Sequence, residues 1–387
     1  MSLPKKISLT TLLLILIAFP IFGQNKEENK TVDNIKIPGG KEAQVAVDAR
    51  RNKTALSKLA HEMKPGTWAE LKTDMPAGLW SSPKINGGRN NGGSGGLHIA
   101  GWTDDAHWNS RTGQFLYMGF RQTRQFISYS ETSNSWRAIP LDPESDNPCL
   151  QTKFGHIYSN NALDAENSRF YHQYGGFEKL EGGISYFDLI KEKWTKLPSR
   201  TGNEGGMGIE YFSAMDGLMH HKKQLGLFNN KSQKWSDIGI SPVDGYHSLS
   251  RHNPFREEIL MTGGNNNPQV MARLKKDGTI ERLKDAPIKL TVRHDKISVD
   301  PLTGKYLIFA DNNYEFDSNK NEYRQFQTTI PYNKYSMPVC AFIPEYGVIM
   351  WAENRGVFLY KHDPSATTAV TATHENKKSE PVVETTK

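Results

Sequence analysis

The sequence is poor in cysteine, in long apolar runs and in clustered positive charge. Cys149 and Cys340 are its two cysteines among 387 residues. Two distant cysteines define no disulfide framework, and the apolar run around Cys340 favours a buried reduced thiol there. One run, residues 12–22, approaches a membrane segment in hydropathy but is too short to span a bilayer comfortably. No lysine- or arginine-rich segment is interleaved with aromatic residues, which argues against nucleic-acid binding.

The apolar run instead has the features of a signal peptide. Lys5 and Lys6 precede it and the small residue Gly23 follows it, so we expect residues 1–23 to be cleaved off. No cysteine follows the run directly, which excludes a lipid anchor at that point. We therefore expect a secreted or periplasmic protein that is not inserted into a membrane after cleavage. Its formal charge of +6 is compatible with an acidic partner without requiring one.

A four-residue motif recurs six times. It consists of a bulky residue, two mostly polar residues, and an aliphatic or aromatic residue. Successive copies start 68, 58, 41, 45 and 43 positions apart, and periods near 40–50 residues built from short strands are typical of propeller blades. The copies start at Trp68, Trp136, Trp194, Trp235, Ile280 and Tyr323.

Other strands can be placed around these copies. An apolar segment, then an alternating segment and a polar turn, come before each of the last five copies, as tight hairpins require. The sixth alternating segment, residues 357–360, has no motif after it, whereas the copy at residues 68–71 stands alone near the N-terminus. Pairing the two would close a ring and remove its free sheet edges. We therefore predict an all-β fold, a six-bladed β-propeller of four-stranded blades over residues 64–364. A polar linker (24–63, with a short helix near residues 55–61) would precede it, and a disordered tail (365–387) would follow.

Glycine pairs and spaced aromatic residues give this pattern a family resemblance. Gly175-Gly176 and Gly263-Gly264 close second strands, and an aromatic residue precedes three of the motif tryptophans by about six to eight residues. This resembles kelch repeats, as in the propeller domain of galactose oxidase. The resemblance covers residues 64–364 but is degenerate, since only two blades carry the double glycine and two lack the tryptophan. It implies a propeller fold and says little about function, because propellers host many functions.

Candidate functional residues cluster in the segments that we expect to line the central channel. The turns at Asn253-Pro254 and Asp300-Pro301 place His247 and His294 at one height, and His156 joins them if its strand carries a bulge. We expect these imidazoles to converge within about 8 Å at the channel mouth. The candidate catalytic residues are His156, His247, His294, Tyr158 and Tyr246. The candidate substrate-binding residues are Arg251, Arg293, His107, Trp102 and Asn161.

A base, an acid and cations in one channel suit β-elimination on a uronic-acid polysaccharide. An arginine would hold the carboxylate, a histidine would remove the α-proton, and a tyrosine or histidine would protonate the leaving oxygen. We therefore expect a secreted, monomeric, glycan-active protein that needs no cofactor, with a polysaccharide lyase as the favoured enzyme. The alternative is a propeller that binds carbohydrate or protein without catalysis. In that case the same histidines would satisfy buried hydrogen bonds between blades.

Metal chemistry is a further alternative. His156, His247 and His294 could hold Zn or Cu if they converge, as in a metal-dependent oxidase or hydrolase. An oxidase of the galactose-oxidase kind would also need a tyrosine cross-linked to a cysteine, and no aromatic partner can be assigned to Cys149. The adjacent His220-His221 pair is a poor chelator, because neighbouring side chains in a strand point to opposite faces. The glycine-rich segment 87–96 lacks the Gly-Lys-Ser/Thr ending of a phosphate-binding loop and is expected to be a flexible connection.

Overall fold

Six antiparallel sheets carry the fold. The computed structural model describes residues 35–80, 99, 106–120, 124–141, 159–174, 183–198, 200, 208–221, 223–245, 247–291, 296–332 and 338–370. Two helices, α1 (Gly40–Arg50) and α2 (Ala55–Glu62), precede the strands. Within these ranges no helix is long and apolar enough to cross a bilayer.

The innermost strands form the wall of a central channel. Each contacts the innermost strands of the two neighbouring sheets, and the sixth contacts the first, so the sheets form a closed ring. This arrangement is a six-bladed β-propeller, as predicted. In order from blade one to blade six, the innermost strands are β2 (Ala106–Asn109), β6 (Asn161–Asp164), β10 (Ile209–Phe212), β14 (Ser248–Asn253), β18 (Lys296–Val299) and β22 (Val339–Ile343).

The second and third strands lie where the sequence predicted them. In the same blade order, the second strands are β3 (Gln114–Phe120), β7 (Arg169–Tyr174), β11 (Gly217–His220), β15 (Glu258–Gly263), β19 (Tyr306–Phe309) and β23 (Val348–Glu353). The third strands are β4 (Arg124–Ser130), β8 (Gly183–Asp188), β12 (Gln224–Asn229), β16 (Met271–Lys275), β20 (Asn313–Asp317) and β24 (Gly356–Tyr360).

The recurring motif forms the fourth strand of every blade, which is the outermost one except in blade five. Blade six takes its outermost strand from the N-terminal side of the chain: β1 (Trp68–Leu71) pairs antiparallel with β24, Trp68 opposite Tyr360 and Leu71 opposite Val357. The ring closure expected from the isolated motif copy is therefore confirmed. The other fourth strands are β5 (Ser135–Ile139), β9 (Lys193–Lys196), β13 (Lys234–Ile240), β17 (Ile280–Leu283) and β21 (Glu322–Phe326).

The bulky first residue of the motif ties each blade to the one before it. The Trp194 indole N–H donates to the Pro140 carbonyl, 2.9 Å away, just after the outermost strand of blade one. Trp235 makes the same bond to the Pro198 carbonyl at 2.9 Å, and Trp68 of blade six donates to Thr328 Oγ1 of blade five at 2.7 Å. Trp136 of blade one donates to Thr73 Oγ1, just after β1, at 3.1 Å across the junction that closes the ring. Tryptophan and tyrosine recur here because they combine a large apolar ring with a polar tip that can reach the neighbouring blade.

Apolar side chains between the blades form the core. Each of the six blade-to-blade interfaces contains its own cluster of buried residues. The cluster between blades six and one is extended by Leu56, Ala60 and Met63, which lie on or next to α2. A Thr54–Ser57 capping box starts this helix, which matches the short helix expected near residues 55–61.

Three segments differ from the sequence prediction. Each innermost strand is only four to six residues long and ends at the turn that follows it. Four of the six strands therefore begin at or near the C-terminal end of the channel-lining segment that the sequence predicted for them. The expected linker contains α1 as well as α2. α2 packs against β1 and residues 344–346, and Arg50 at the end of α1 bonds to Glu131 of blade one. Part of the expected disordered tail forms a strand, β25 (Thr368–Ala369), which pairs with β21 and adds a fifth strand to blade five.

Candidate functional site

A cavity of about 430 Å³ occupies one end of the central channel. All six innermost strands or their following turns contribute to its wall, and residues 35–41 with Gln44 lie across it. Ligand pockets measure about 300–1,000 Å³, so the space suits a small molecule. The polar residues of the channel wall are His107, Glu166, Glu210, Tyr211, Ser213, Arg251, His252, Glu257 and Ser298.

Two imidazole side chains line this cavity from opposite sides. His107 lies on β2 of blade one and His252 on β14 of blade four, which are opposite positions in a six-membered ring. Burial lowers the pKa of His252 to about 3, and the charge of His107 lowers it further in the same direction. Its ring packs edge-on against Phe212, with the ring centres 5.8 Å apart. His252 is therefore neutral at physiological pH and can donate or accept a hydrogen bond in the cavity.

Opposite charges lie on two neighbouring blades. Glu210 on β10 is 2% exposed and Arg251 on β14 is 5% exposed, and both line the cavity. Burying an ionised group costs free energy unless its charge is compensated. The presence of these two groups in the channel wall gives the cavity a fixed arrangement of charge. The Arg251 guanidinium can form two parallel hydrogen bonds to a carboxylate.

Residues 35–41 cross the channel at the end where the first and second strands of each blade are joined. Lys36 Nζ lies 4.0 Å from Glu257 Oε1, in the turn after β14. A Cβ atom on Gly39 would lie 3.0 Å from the Ala165 carbonyl oxygen, in the turn after β6, and the φ of Gly39 is +102°. Only glycine accommodates both the close approach and this backbone conformation. The segment therefore touches blades two and four as it covers the cavity.

A buried group, here called the Arg50 cluster, fixes the end of α1 to the ring. It consists of Arg50, Glu131 and Glu345 with their hydrogen-bond donors. Arg50 Nε donates to Glu131 Oε2 at 2.7 Å, and Arg50 Nη2 lies 3.7 Å from Glu345 Oε1. The hydroxyls of Tyr346 and Thr54 donate to Glu131 Oε1 at 2.6 and 2.7 Å. The two carboxylates are fully buried with one guanidinium between them.

Two carboxyl groups beside one cation favour retention of a proton. Burial, followed by the charge of Glu131, raises the pKa of Glu345 to about 7, although Trp108 Nε1 and Ser110 Oγ each donate to it at 2.8 Å. Trp108 also lines the cavity, so the Arg50 cluster is in direct contact with the cavity wall.

We expect this carboxyl to make stability depend on pH. The pKa of Glu345 is higher in the folded protein than in the unfolded chain, so the unfolded state releases its proton first as pH rises. Its contribution to the free energy of unfolding is about 3 kcal/mol. This contribution should be complete below about pH 4.5 and be lost as the pH rises to about 7. Denaturant unfolding of the wild type and Glu345→Gln at pH 5 and pH 8 measures this difference. A pH dependence that is unchanged in Glu345→Gln would contradict the assignment.

The structure describes four of the ten predicted site residues, Arg251, His107, His247 and Asn161. Arg251 and His107 lie in the cavity. His247 directly precedes β14, four residues from Arg251 and so roughly 13 Å away along an extended strand. It is half-buried with a φ of +72°, and its Nδ1 lies 2.8 Å from Asn265 Oδ1. The positions outside the described residues are Trp102, His156, Tyr158, Tyr246, Arg293 and His294. The convergence of three imidazoles therefore stays a prediction.

Asn161 lies away from the cavity wall. Its Nδ2 donates to the Met118 carbonyl of blade one at 3.2 Å, and its Oδ1 lies 3.0 Å from His172 Nδ1. It connects blades one and two. His220 and His221, at and after the end of β11, are both buried, and burial lowers the pKa of His221 to about 4. Across the part of the chain that the structure describes, no group of histidine, cysteine and carboxylate side chains is arranged to hold a metal ion.

Sequence reasoning missed three parts of this site: Glu210, His252 and the covering segment. The sequence analysis gave no role to Glu210 or to His252, although it selected Arg251, the neighbour of His252. The turn at Asn253-Pro254 was the available signal, because the residues directly before it face this end of the channel. Nothing in the short sequence of residues 35–41 indicated that they cross the ring.

Two solved structures match part of this chain at low sequence identity. No family model and no curated protein matches this sequence. A structural genomics protein of unknown function from Bacteroides thetaiotaomicron has a TM-score of 0.47 at 13% identity, over 67% of this chain and 70% of that chain. A streptogramin B lyase structure has a TM-score of 0.42 at 13% identity, over 65% of this chain and 76% of that chain. At this level of similarity neither bears on what this chain does.

Proposed function

We propose that the protein is a glycan-active propeller that holds an acidic sugar in its channel cavity and cleaves uronic-acid glycans by β-elimination. The observation that carries the proposal is the meeting of Arg251, His107 and His252 in one cavity. At about 430 Å³ the cavity lies near the lower end of the range for ligand pockets and suits one or two sugar rings. Location outside the cytoplasm, a monomeric state and a distant relation to kelch propellers belong to the same proposal.

Each group has a definite part in the proposed chemistry. Arg251 binds the carboxylate and so acidifies the α-proton of the uronate. We assign the base to His107, which takes that proton; the electron pair forms the new carbon–carbon double bond and the glycosidic carbon–oxygen bond breaks. The departing oxygen takes up a proton from the His107 imidazolium that the first transfer forms, which returns His107 to its neutral form. His252, neutral and a weak base, contributes a hydrogen bond.

Binding without catalysis is the second candidate. The pKa of about 3 makes His252 a poor proton acceptor, and residues 35–41 cover one end of the cavity. Both features suit a site that retains a small ligand more than one that threads a polymer. In this case Arg251 would again hold the anionic group.

Assays with uronate polysaccharides and short uronate oligosaccharides separate the two candidates. Cleavage would appear as ultraviolet absorbance of the unsaturated product. Arg251→Met should weaken oligosaccharide binding by ~30-fold or more, since loss of a buried charged hydrogen bond costs about 2–5 kcal/mol. His107→Gln should stop turnover with binding retained. The surface substitution Arg137→Met is the matched control and should change neither.

Four outcomes decide the proposal. Product formation that depends on His107 supports β-elimination, whereas binding that depends on Arg251 without product supports the binding protein. A His247→Ala variant tests the mouth site predicted from the sequence, and loss of turnover there but not in Arg251→Met would move the site to the other end of the channel. Neither binding nor product from any uronate would overturn the glycan proposal.

A further inference from the structure

Residues 35–50 form a unit with its own small core, here called the N-terminal gate. Ile37, Ala43 and Val47 pack together in a buried cluster that is separate from the clusters between the blades. In contrast, α2 packs into the core between blades six and one. Segments with few contacts to the main core open at lower free energy than the rest of a protein. The gate can therefore move while α2 and the ring stay in place.

The ends of the gate have backbone conformations suited to a hinge. Gly39 and Gly40 both have positive φ values, and α1 starts without a side-chain cap. On the other side, Asn52 has a φ of +58° in the turn between the two helices. The first turn of α1 is therefore weakly held, and the chain direction changes sharply at both ends of the helix.

Two exposed ion pairs attach the gate to the rim of the channel. Lys36 pairs with Glu257 after β14, and Glu42 pairs with Arg111 after β2. Exposed pairs of this kind contribute little, because water screens them and ordering two long side chains costs entropy. The buried attachment is Arg50, whose guanidinium reaches Glu131 and the Ser110 carbonyl beneath blade one. Retention of the gate therefore depends mainly on Arg50.

We propose that residues 35–50 are a gate over the channel cavity, hinged at residues 51–53 and latched by Arg50, whose opening admits the ligand. The gate regulates the site of the proposed function and rests on that function only for the identity of the ligand. Opening separates Arg50 from Glu131, which keeps its bonds from Tyr346 and Thr54. Because α2 and β1 stay attached, the ring remains closed when the gate opens.

Acylation of the cavity histidines measures opening without any sugar. Diethyl pyrocarbonate acylates neutral imidazole, and His252 is neutral with a buried Nε2 atom. Peptide mapping follows its rate, with exposed His61 on α2 as the internal reference. His252 should react far more slowly than His61 in the wild type and about 10-fold faster in Arg50→Met. Arg137→Met, which removes a surface arginine, should leave both rates unchanged.

Hydrogen exchange locates the opening along the chain. In Arg50→Met the amides of residues 43–50 should exchange faster, while those of β15 and β19 keep their protection, which shows that the ring is folded. If Arg50→Met does not fold, Val47→Ser loosens the core of the gate without touching the ring and should give the same pattern. The gate proposal would be overturned if His252 of the wild type were acylated as fast as His61. It would also be overturned if a folded gate variant left the acylation rate of His252 unchanged. Since no uronate is used, this result is independent of the glycan assays.

Discussion

Trp68→Ala combined with Leu71→Ala should destabilise the protein far more than the same changes in another blade. Leu71 is 3% exposed in the core between blades six and one, and Trp68 packs against Tyr360 and Trp351 with ring centres 4.8 and 5.6 Å away. Truncation of a buried leucine or tryptophan costs about 2–5 kcal/mol, so the pair approaches the 5–15 kcal/mol that stabilises a typical domain. We expect the variant to be largely unfolded or aggregated, as measured by circular dichroism and size-exclusion chromatography.

Trp194→Ala with Leu197→Ala is the matched control in blade two. Trp194 and Leu197 are buried to a similar degree as Trp68 and Leu71, and Trp194 makes the equivalent indole bond. A short turn holds β9 beside β8, whereas nearly the whole chain separates β1 from β24. Loss of β1 contacts therefore opens the ring at its only non-local closure in the described strands, and loss of β9 contacts does not. Equal loss of stability in the two double variants would contradict this role for β1.

Glu131→Ala should lower the free energy of unfolding by about 3–5 kcal/mol, because it leaves the Arg50 guanidinium buried without its main partner. The hydroxyls of Tyr346 and Thr54 lose their acceptor in the same change. Glu345, 3.7 Å from Arg50, compensates in part and should bring the loss toward the lower end of that range. Denaturant unfolding at neutral pH measures the effect.

Glu192→Ala provides the comparison for a surface pair. Glu192 pairs with Arg137 on blade one, and both side chains are about half exposed, at 53% and 50%. We expect a change of less than about 1 kcal/mol there. If the two variants lose similar amounts, the Arg50 cluster does not anchor the N-terminal helices. Faster acylation of His252 in Glu131→Ala, with the acylation rate of His61 unchanged, would in addition support the proposal that Arg50 holds the gate closed.

Much of the ring was predictable because blades repeat. Six copies of one motif marked the fourth strand of each of six blades, and each apolar or alternating segment upstream had the period of a strand. The isolated copy at Trp68 then required a strand from the N-terminal side to close blade six. These features depend on local patterns that a single sequence displays.

The innermost strands were harder to place because their side chains are mixed. Polar residues such as Glu210, Arg251 and His252 interrupt the apolar alternation where the strands meet around the channel. The segment containing His247 was taken as strand, whereas β14 starts at Ser248. A small difference in where a strand begins changes which residues lie at the same level of the channel. The predicted cluster of imidazoles therefore depended on information that the sequence pattern did not contain.

The sequence by itself determined the number of blades, the order of strands within them and the closure by β1, because strand period, turn chemistry and the repeated motif are local. Only the tertiary structure decided which side chains share the channel. His107 and His252 stand on opposite blades, 145 positions apart in the chain, and meet there because the ring closes. It also decided that residues 35–41 cover the cavity and that Arg50 holds the following helix to the ring, since its partners are Glu131 and Glu345, which no local pattern links to it.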